Sequence, residues 1–239
     1  MAKATSPRTQ VWTRHAVPAL IVFIAPAILF AFSKLDLALA HIFFSPHDGW
    51  IGANSWFVNE LIHTGGRWAV RIVAALALLV WLASFFLAAL RSVGRPAVYF
   101  FSALALTVGI VGLLKTFTNV DCPWDLIAFG GDRPYVGLFS TRPDDLPHAR
   151  CFPAAHASSG YAFMALYFLA YERSQTWARM GLAVGLILGL VFGIAQQSRG
   201  AHLISHDLWS ALLGWLIPLT LYAFGFNCRL YDRQHDRST

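Results

Sequence analysis

Three short polar blocks interrupt an otherwise apolar chain, and each holds residue types that handle phosphate. Lys115 precedes "TFTNVDCPWD". His156 stands in "CFPAAHASSGYAF" at 151–163. Arg199, His202, His206 and Asp207 fall within "QQSRGAHLISHD" at 196–207. Lysine and arginine grip phosphate oxygens through charge-assisted hydrogen bonds. Histidine can attack phosphorus or move a proton near neutral pH. His156 and His202 each lie near a predicted helix start, where unpaired backbone N–H groups and the positive dipole end favour an anion. Taken singly, Lys115 reads as a snorkelling helix-end lysine, His156 as a capping residue and Arg199 as an interfacial anchor. Taken together on one predicted side of the chain, they read as a site for a phosphate with a reactive imidazole. The pair in "HLISH" also has the i, i+4 spacing of zinc ligands, but it lacks the metalloprotease glutamate and a third ligand. No metal and no other cofactor is expected.

The elements that must position these blocks follow from composition. Of 239 residues, 57% are hydrophobic and only 13% charged, against about 25% charged in soluble domains. Too few charges remain to coat a soluble surface, so the solvent is a bilayer. Six segments reach the roughly 20 apolar residues that span one: about 17–33, 68–90, 96–117, 155–171, 178–195 and 203–225. The reading is an all-α, polytopic membrane protein: a six-transmembrane-helix bundle in one domain over 1–239, with its extramembrane loops on the active-site side. Residues 34–67 form a long loop with a short interfacial helix around "LDLALAHIFF". Residues 91–95, "RSVGR", form a tight basic turn, and 118–154 form a long polar loop. Small residues recurring every four positions in "GLAVGLILGLVFG" at 181–193 predict close helix packing. Residues 1–15 are polar and basic, and the apolar run after them is long enough to span, so no cleaved leader is expected.

The net charge of +6 would point to nucleic acid in a soluble protein. Here the basic residues gather at the ends of apolar segments, so the expected partners are membrane lipids and no nucleic acid. Lys3, Arg8, Arg14, Arg91, Arg95, Arg173, Arg179, Arg229, Arg233 and Arg237 fall on one side. That places both termini in the cytoplasm and the long loops outside, in the periplasm of a bacterial-type inner membrane. Cys122 and Cys151 share that outer, oxidising compartment and are expected to pair, leaving Cys228 free. Oligomeric state is not legible.

The three blocks, in this order and on one face, resemble the signature motifs of the type 2 phosphatidic acid phosphatase (PAP2) superfamily over about 60–225. That family carries Lys-x6-Arg-Pro, then Pro-Ser-Gly-His, then Ser-Arg-x5-His-x3-Asp. Here Lys115 is kept, Cys122 stands at the Arg position before Pro123, and Arg133–Pro134 is the replacement expected to bind phosphate. "PAAH" keeps His156 but places Ala154 where the family has serine, with Ser158 or Ser159 as substitutes. The third motif admits two registers. Aligned on "GAH", His202 is the nucleophile, His206 falls at the Asp position and Gln196 at the Arg position, with Arg199 supplying the guanidinium. Aligned on Arg199, His206 is the nearest candidate with one residue too many. The first needs no insertion and is preferred. An orienting carboxylate would then come from Asp207 through distorted backbone, or from Asp121, Asp125 or Asp132.

The resemblance implies hydrolysis of a lipid phosphomonoester or pyrophosphate through a phosphohistidine, without a metal. His202 would attack, His156 would protonate the leaving oxygen, His206 would orient His202, and Lys115, Arg199 and Arg133 would hold the phosphate. A lipid-phosphate phosphotransferase, or a non-catalytic lipid-phosphate binder or transporter with a decayed site, would look similar. His63, beside "TGGR", is the outside candidate for lining the site.

Overall fold

The computed structural model describes residues 6–231. Lys3, Arg233 and Arg237, which entered the reading of sidedness, lie outside them. Helix α1, Pro7–Ala31, starts on a Ser6 cap whose hydroxyl accepts from the Thr9 N–H, with proline at its first position. A short α2, Leu35–Ala40, and a two-stranded hairpin pairing Phe44–Ser45 (β1) with Gly49–Trp50 (β2) follow. A wide-turned helical stretch, Phe57–Gly65, runs without a break into α3, Gly66–Ala83. Helix α4 spans Arg91–Phe117. The polar loop after it leads to α5, Ala155–Tyr161, which a single 3-10 turn joins to α6, Ala165–Tyr171. Helices α7, Gln175–Ser198, and α8, Ile204–Thr220, follow, and α8 runs on into a wide-turned stretch, Leu221–Gly225.

Among the described residues, five helical stretches are long and apolar enough to cross a membrane: Pro7–Ala31, Phe57–Ala83, Ala88–Phe117, Gln175–Ser198 and Ile204–Gly225. Their outward faces carry exposed Ile21, Val22, Leu76, Leu79, Ile187 and Ile194. Burying such rows in lipid removes the cost of leaving them in water. The expected sixth segment, 155–171, is shorter and is the one the others surround. Ala157, Ser158, Ala162, Ala165 and Phe168 on it are fully buried.

Several boundaries differ from those read in the sequence; the first segment, expected at 17–33, already begins at Pro7. The segment expected at 68–90 starts at Phe57 and ends at Ala83, because Phe57–Gly65 continues the helical pattern backwards and Leu87 turns extended (φ −105°, ψ 111°). The "RSVGR" stretch is no tight turn but the opening of α4.

The bundle is built around α5–α6, with α7 and α8 against it and α4 beyond. Helix α1 lies along α8, and α3 along α4. The small-residue stripe of α7 explains the close approach. A Cβ on Gly189 would enter the Tyr161 ring, and one on Gly185 would strike Met164. On the facing helix, a Cβ on Gly160 would sit 2.7 Å from the Gly189 backbone nitrogen and 2.7 Å from the Leu188 carbonyl carbon. Backbone cannot rotate away as a side chain can, so the helices must separate. Gly160→Ala is expected to cost about 1–3 kcal/mol through overpacking, read as a lower Tm of the detergent-solubilised protein. An unchanged Tm would show that this crossing is loose.

A second apolar cluster lies beside the start of α8. Trp50, Leu126, Phe129, Ala40 and Leu203 pack together, joining the hairpin, the polar loop and the approach to α8. Gly200 makes the turn between α7 and α8 at φ +75°, against the Trp50 indole. A side chain there would meet both backbone strain and the ring. Asp36 of α2 fixes the start of α8 from far away in sequence. Its buried carboxylate accepts from the Ser205 N–H at 3.1 Å and from the Ser205 hydroxyl. It thus caps in trans the helix that carries His206.

Candidate active site

One cavity of about 570 Å³ gathers the three polar blocks. Lys115, from the last turns of α4, and His202, from the turn before α8, both line it. His156 and Ser159 come from α5, and Gln196 and Arg199 from the end of α7. Cys122 and Cys151 come from the polar loop. Arg150 and the helix bearing His63, Arg67 and Arg71 complete the wall. Five guanidinium or ammonium groups and three imidazoles face one space, and no Asp or Glu is among the lining residues. Like charges crowded without a counter-ion repel, so the arrangement favours an anion among them. Among the described residues, no three His, Cys, Asp or Glu side chains come together as a metal-holding group.

His202 is buried at 6% exposure and His206 at 3%. Their Nδ1 atoms lie 3.4 Å apart, and the Cys151 carbonyl faces both rings. Only His202 reaches the cavity. His206 sits behind it, edge-on to Phe152 with ring centroids 5.2 Å apart. Burial first, then His206 and Lys115 nearby, hold the His202 imidazole well below its usual pKa. It is therefore neutral at pH 7, with a lone pair available.

His156 stacks on Phe192 at 4.4 Å and takes the His63 ring edge-on at 4.8 Å. Its Nε2 is buried with no hydrogen-bond partner. Such an atom is costly unless something that visits the site completes it. Ser159 lines the cavity, though its hydroxyl donates to the His156 carbonyl at 2.6 Å; Ser158 is turned inward and donates to the Ala155 carbonyl. Gln196, at the position where the third motif has arginine, accepts from Arg199 Nη1 at 3.3 Å and leaves its own Nε2 unpartnered. Burial and the neighbouring Arg67 lower the Arg199 pKa.

Arg133 is not brought to the cavity. Its Nη1 donates to Asp121 Oδ1 at 2.7 Å and lies 3.6 Å from Asp125, so its charge is spent inside the loop. The carboxylates expected to orient His202 are also committed elsewhere. Asp207 points at α7, where it accepts from Gln197 and fills the space that a Gly193 side chain would need. Asp121 is clamped between Arg133 and Arg142. A neutral histidine and a peptide carbonyl stand behind His202 instead. Cys122 and Cys151 are joined in a disulfide, with Cα atoms 5.1 Å apart. It ties the start of the polar loop to its end, beside His202.

The Asp121 cluster gives the loop a pH dependence. Burial pushes the Asp121 carboxyl up, but hydrogen bonds from Arg142 and Arg133 outweigh it and hold its pKa below the ordinary 3.8. A depressed native pKa means stabilisation that is present above the unfolded value and lost as pH falls through the native one. Asp121→Asn leaves two guanidiniums facing a neutral amide. It is expected to destabilise the protein by about 3 kcal/mol at pH 7 and to remove part of the wild type's acid-induced loss below about pH 4. Melting curves across pH would show this; parallel curves for both proteins would count against the clamp.

Sequence reasoning missed Arg67, Arg71 and Arg150 as wall residues. His63, Arg67 and Arg71 are spaced four apart, one face of a helix. Treating 34–67 as a loop hid that stripe. A family model described as PAP2 superfamily matches residues 96–230, more than half of the chain. No curated protein and no solved structure matches the chain. The matched region contains Lys115, His156 and His202, while Asp36, His63, Arg67 and Arg71 precede it.

Proposed function

Because the chain belongs to the PAP2 superfamily, we propose that it is an integral-membrane phosphatase that removes a phosphoryl group from a lipid head group through a phosphohistidine. The superfamily is largely made of phosphatases, which supports phosphoric ester hydrolysis at the general level. The observation that carries the finer reading is the cavity itself: five cations and three imidazoles around one space without a carboxylate.

In this reading the segment 155–171 crosses with the five longer helices, making six spans. Both termini are cytoplasmic, and the cavity opens to the periplasm of a bacterial-type inner membrane. Val70 of α3 and Val108 of α4 also line the cavity. They supply an apolar side through which a lipid tail can lie in the bilayer while its head meets the cations.

The chemistry follows from the residues. With Nδ1 turned towards His206, Nε2 is the His202 nitrogen left for phosphorus. Lys115 and Arg199 hold the non-bridging oxygens and stabilise the charge that builds on them. His202 displaces the leaving oxygen and forms an N–P bond. His156, whose Nε2 has no other partner, takes up a proton as the phosphate anion binds beside it and gives that proton to the leaving oxygen. It then takes one from the water that hydrolyses the phosphohistidine. His206 and the Cys151 carbonyl orient the attacking ring and share its developing positive charge. They do so less strongly than a carboxylate would.

The test is phosphate release from a panel of lipid phosphates by the purified protein in detergent, with a His202→Ala control. Release by the wild type alone, together with an acid-labile phosphoenzyme, is the expected result. No release from any member, with lipid phosphate still bound, would make the chain a binder and end the catalytic reading.

A further inference from the structure

Behind the histidine pair lies a second, much smaller cavity of about 20 Å³, enough for roughly one water molecule. His206 lines it and does not line the large one, and His202 does the reverse. The two rings therefore stand between the two spaces. Asp36, Tyr135, Phe152 and Ser205 share the small cavity with His206. Among the described residues, Asp36 is the single carboxylate that lines either space.

Asp36 is buried, at 2% exposure, without a cation. It accepts from the Ser205 N–H at 3.1 Å and from the Ser205 hydroxyl. Among the described residues it forms no ion pair. Neutral donors replace only part of a carboxylate's hydration, and a buried charge ordinarily has a counter-charge. Burial accordingly pushes the Asp36 pKa above its ordinary 3.8. As a helix cap, asparagine or serine serves about as well as aspartate, so capping α8 does not by itself account for a charge here. The two bonds to Ser205 set that charge beside the residue next in sequence, His206.

A matching positive charge arises in turnover. His202 attacks through Nε2, so its Nδ1 carries the proton and donates to His206 Nδ1, 3.4 Å away. A neutral His206 that accepts there holds its own proton on Nε2. As the N–P bond forms, the bond to the leaving oxygen breaks and its electron pair goes with that oxygen. The His202 ring becomes cationic, and the shared Nδ1 proton passes part of the charge to His206. In a buried site a carboxylate on the far side of His206 lowers the energy of that state far more than it would in water.

We propose that Asp36 is a positioning residue for the reaction: across the small cavity, its carboxylate balances the positive charge that reaches His206 as His202 is phosphorylated. This rests on the phosphatase reading above. The chain then has a carboxylate–His206–His202 relay whose acid comes from α2, ahead of the region that the family model matches.

The test uses the full chain in detergent with p-nitrophenyl phosphate. Asp36→Asn keeps an oxygen for the Ser205 N–H and loses the charge. It should lower kcat by about 10–100-fold, the range of a lost interaction with a charged group, and leave KM little changed. Ser205→Ala removes a capping hydrogen bond and keeps the carboxylate, so it should lower Tm with kcat nearly unchanged. In a His206→Ala background, Asp36→Asn should cost little more, because the link through which it acts is gone. Equal kcat losses in Asp36→Asn and Ser205→Ala, or the full Asp36→Asn loss persisting without His206, would reduce Asp36 to a helix cap and leave the phosphatase reading standing. Where Asp36→Asn fails to fold, Asp36→Glu and Asp36→Gln, alike in shape and unlike in charge, carry the test. The first should be faster by about 10-fold, and equal rates would end the proposal. No p-nitrophenol from the wild type, or an undiminished rate in His202→Ala, would overturn the phosphatase reading and this inference with it.

Discussion

His202→Ala is expected to lower phosphate release by about 10⁴-fold or more, the scale on which removing a nucleophile acts, and to abolish the acid-labile phosphoenzyme. The expectation comes from geometry. Of His202 and His206 only His202 lines the cavity, together with Lys115 and His156. Burial and its neighbours keep it neutral, so no proton must be removed before attack. His206→Ala distinguishes the two registers the motif admits. Its ring is 3.4 Å from His202 through Nδ1 and outside the cavity wall, so its loss should slow turnover while the phosphoenzyme still forms. The reverse pattern, with phosphoenzyme in His202→Ala and none in His206→Ala, would make His206 the nucleophile and remove the proposed assignment. Melting curves for both variants guard against a trivial loss of fold.

The parts of this site that were legible in the sequence are those whose signals are local. A histidine beside a predicted helix start, or a lysine at the end of an apolar run, declares itself within a few residues. So does a small residue every fourth position, and the α7 stripe packs as that spacing predicts. What was not legible depends on long-range competition for charge. Nothing near Arg133 in the sequence says that Asp121 will take its guanidinium. Nothing near Asp207 says that its carboxylate will turn to Gln197 on α7. Asp36 caps α8 across most of the chain, and no local pattern announces a cap of that kind. Arg67 and Arg71 are an intermediate case. Their four-residue spacing is local, but it becomes a helix face only once Phe57–Gly65 is recognised as helix. The fold class was read from the cost of leaving apolar surface in water, which sums over the whole chain and tolerates errors at every boundary. The span from Phe57 to Ala83 was misplaced, yet it still leads to the same wall.

The departures from the family's motifs are also physically connected. The disulfide half-cystine Cys122 occupies the first motif's arginine position, and its partner Cys151 presents the carbonyl that faces His202 and His206. Where the motif has an arginine, this chain has one end of a covalent tie that lines the same cavity as His202. Arg67, Arg71 and Arg150 return positive charge to the same cavity from other elements.

His156→Ala should cut turnover of a lipid phosphate by about 10²–10⁴-fold, the usual worth of a general acid–base group, and the loss should depend on the leaving group. The ring is fixed between Phe192 and His63 and keeps an unpartnered Nε2, so that nitrogen, once protonated beside the bound phosphate, can hand its proton to the leaving oxygen while the ring stays in place. An alkoxide cannot depart without that proton, whereas p-nitrophenolate can. With p-nitrophenyl phosphate the variant should therefore still undergo the first step. It should then stall, because the same ring activates the water that releases phosphate. The expected record is a burst of p-nitrophenol equal to the enzyme present, a slow steady state, and a phosphohistidine that persists until acid is added. A uniform loss across leaving groups with no burst would show that His156 only shapes the cavity. The proton would then have to come from water or from another wall residue.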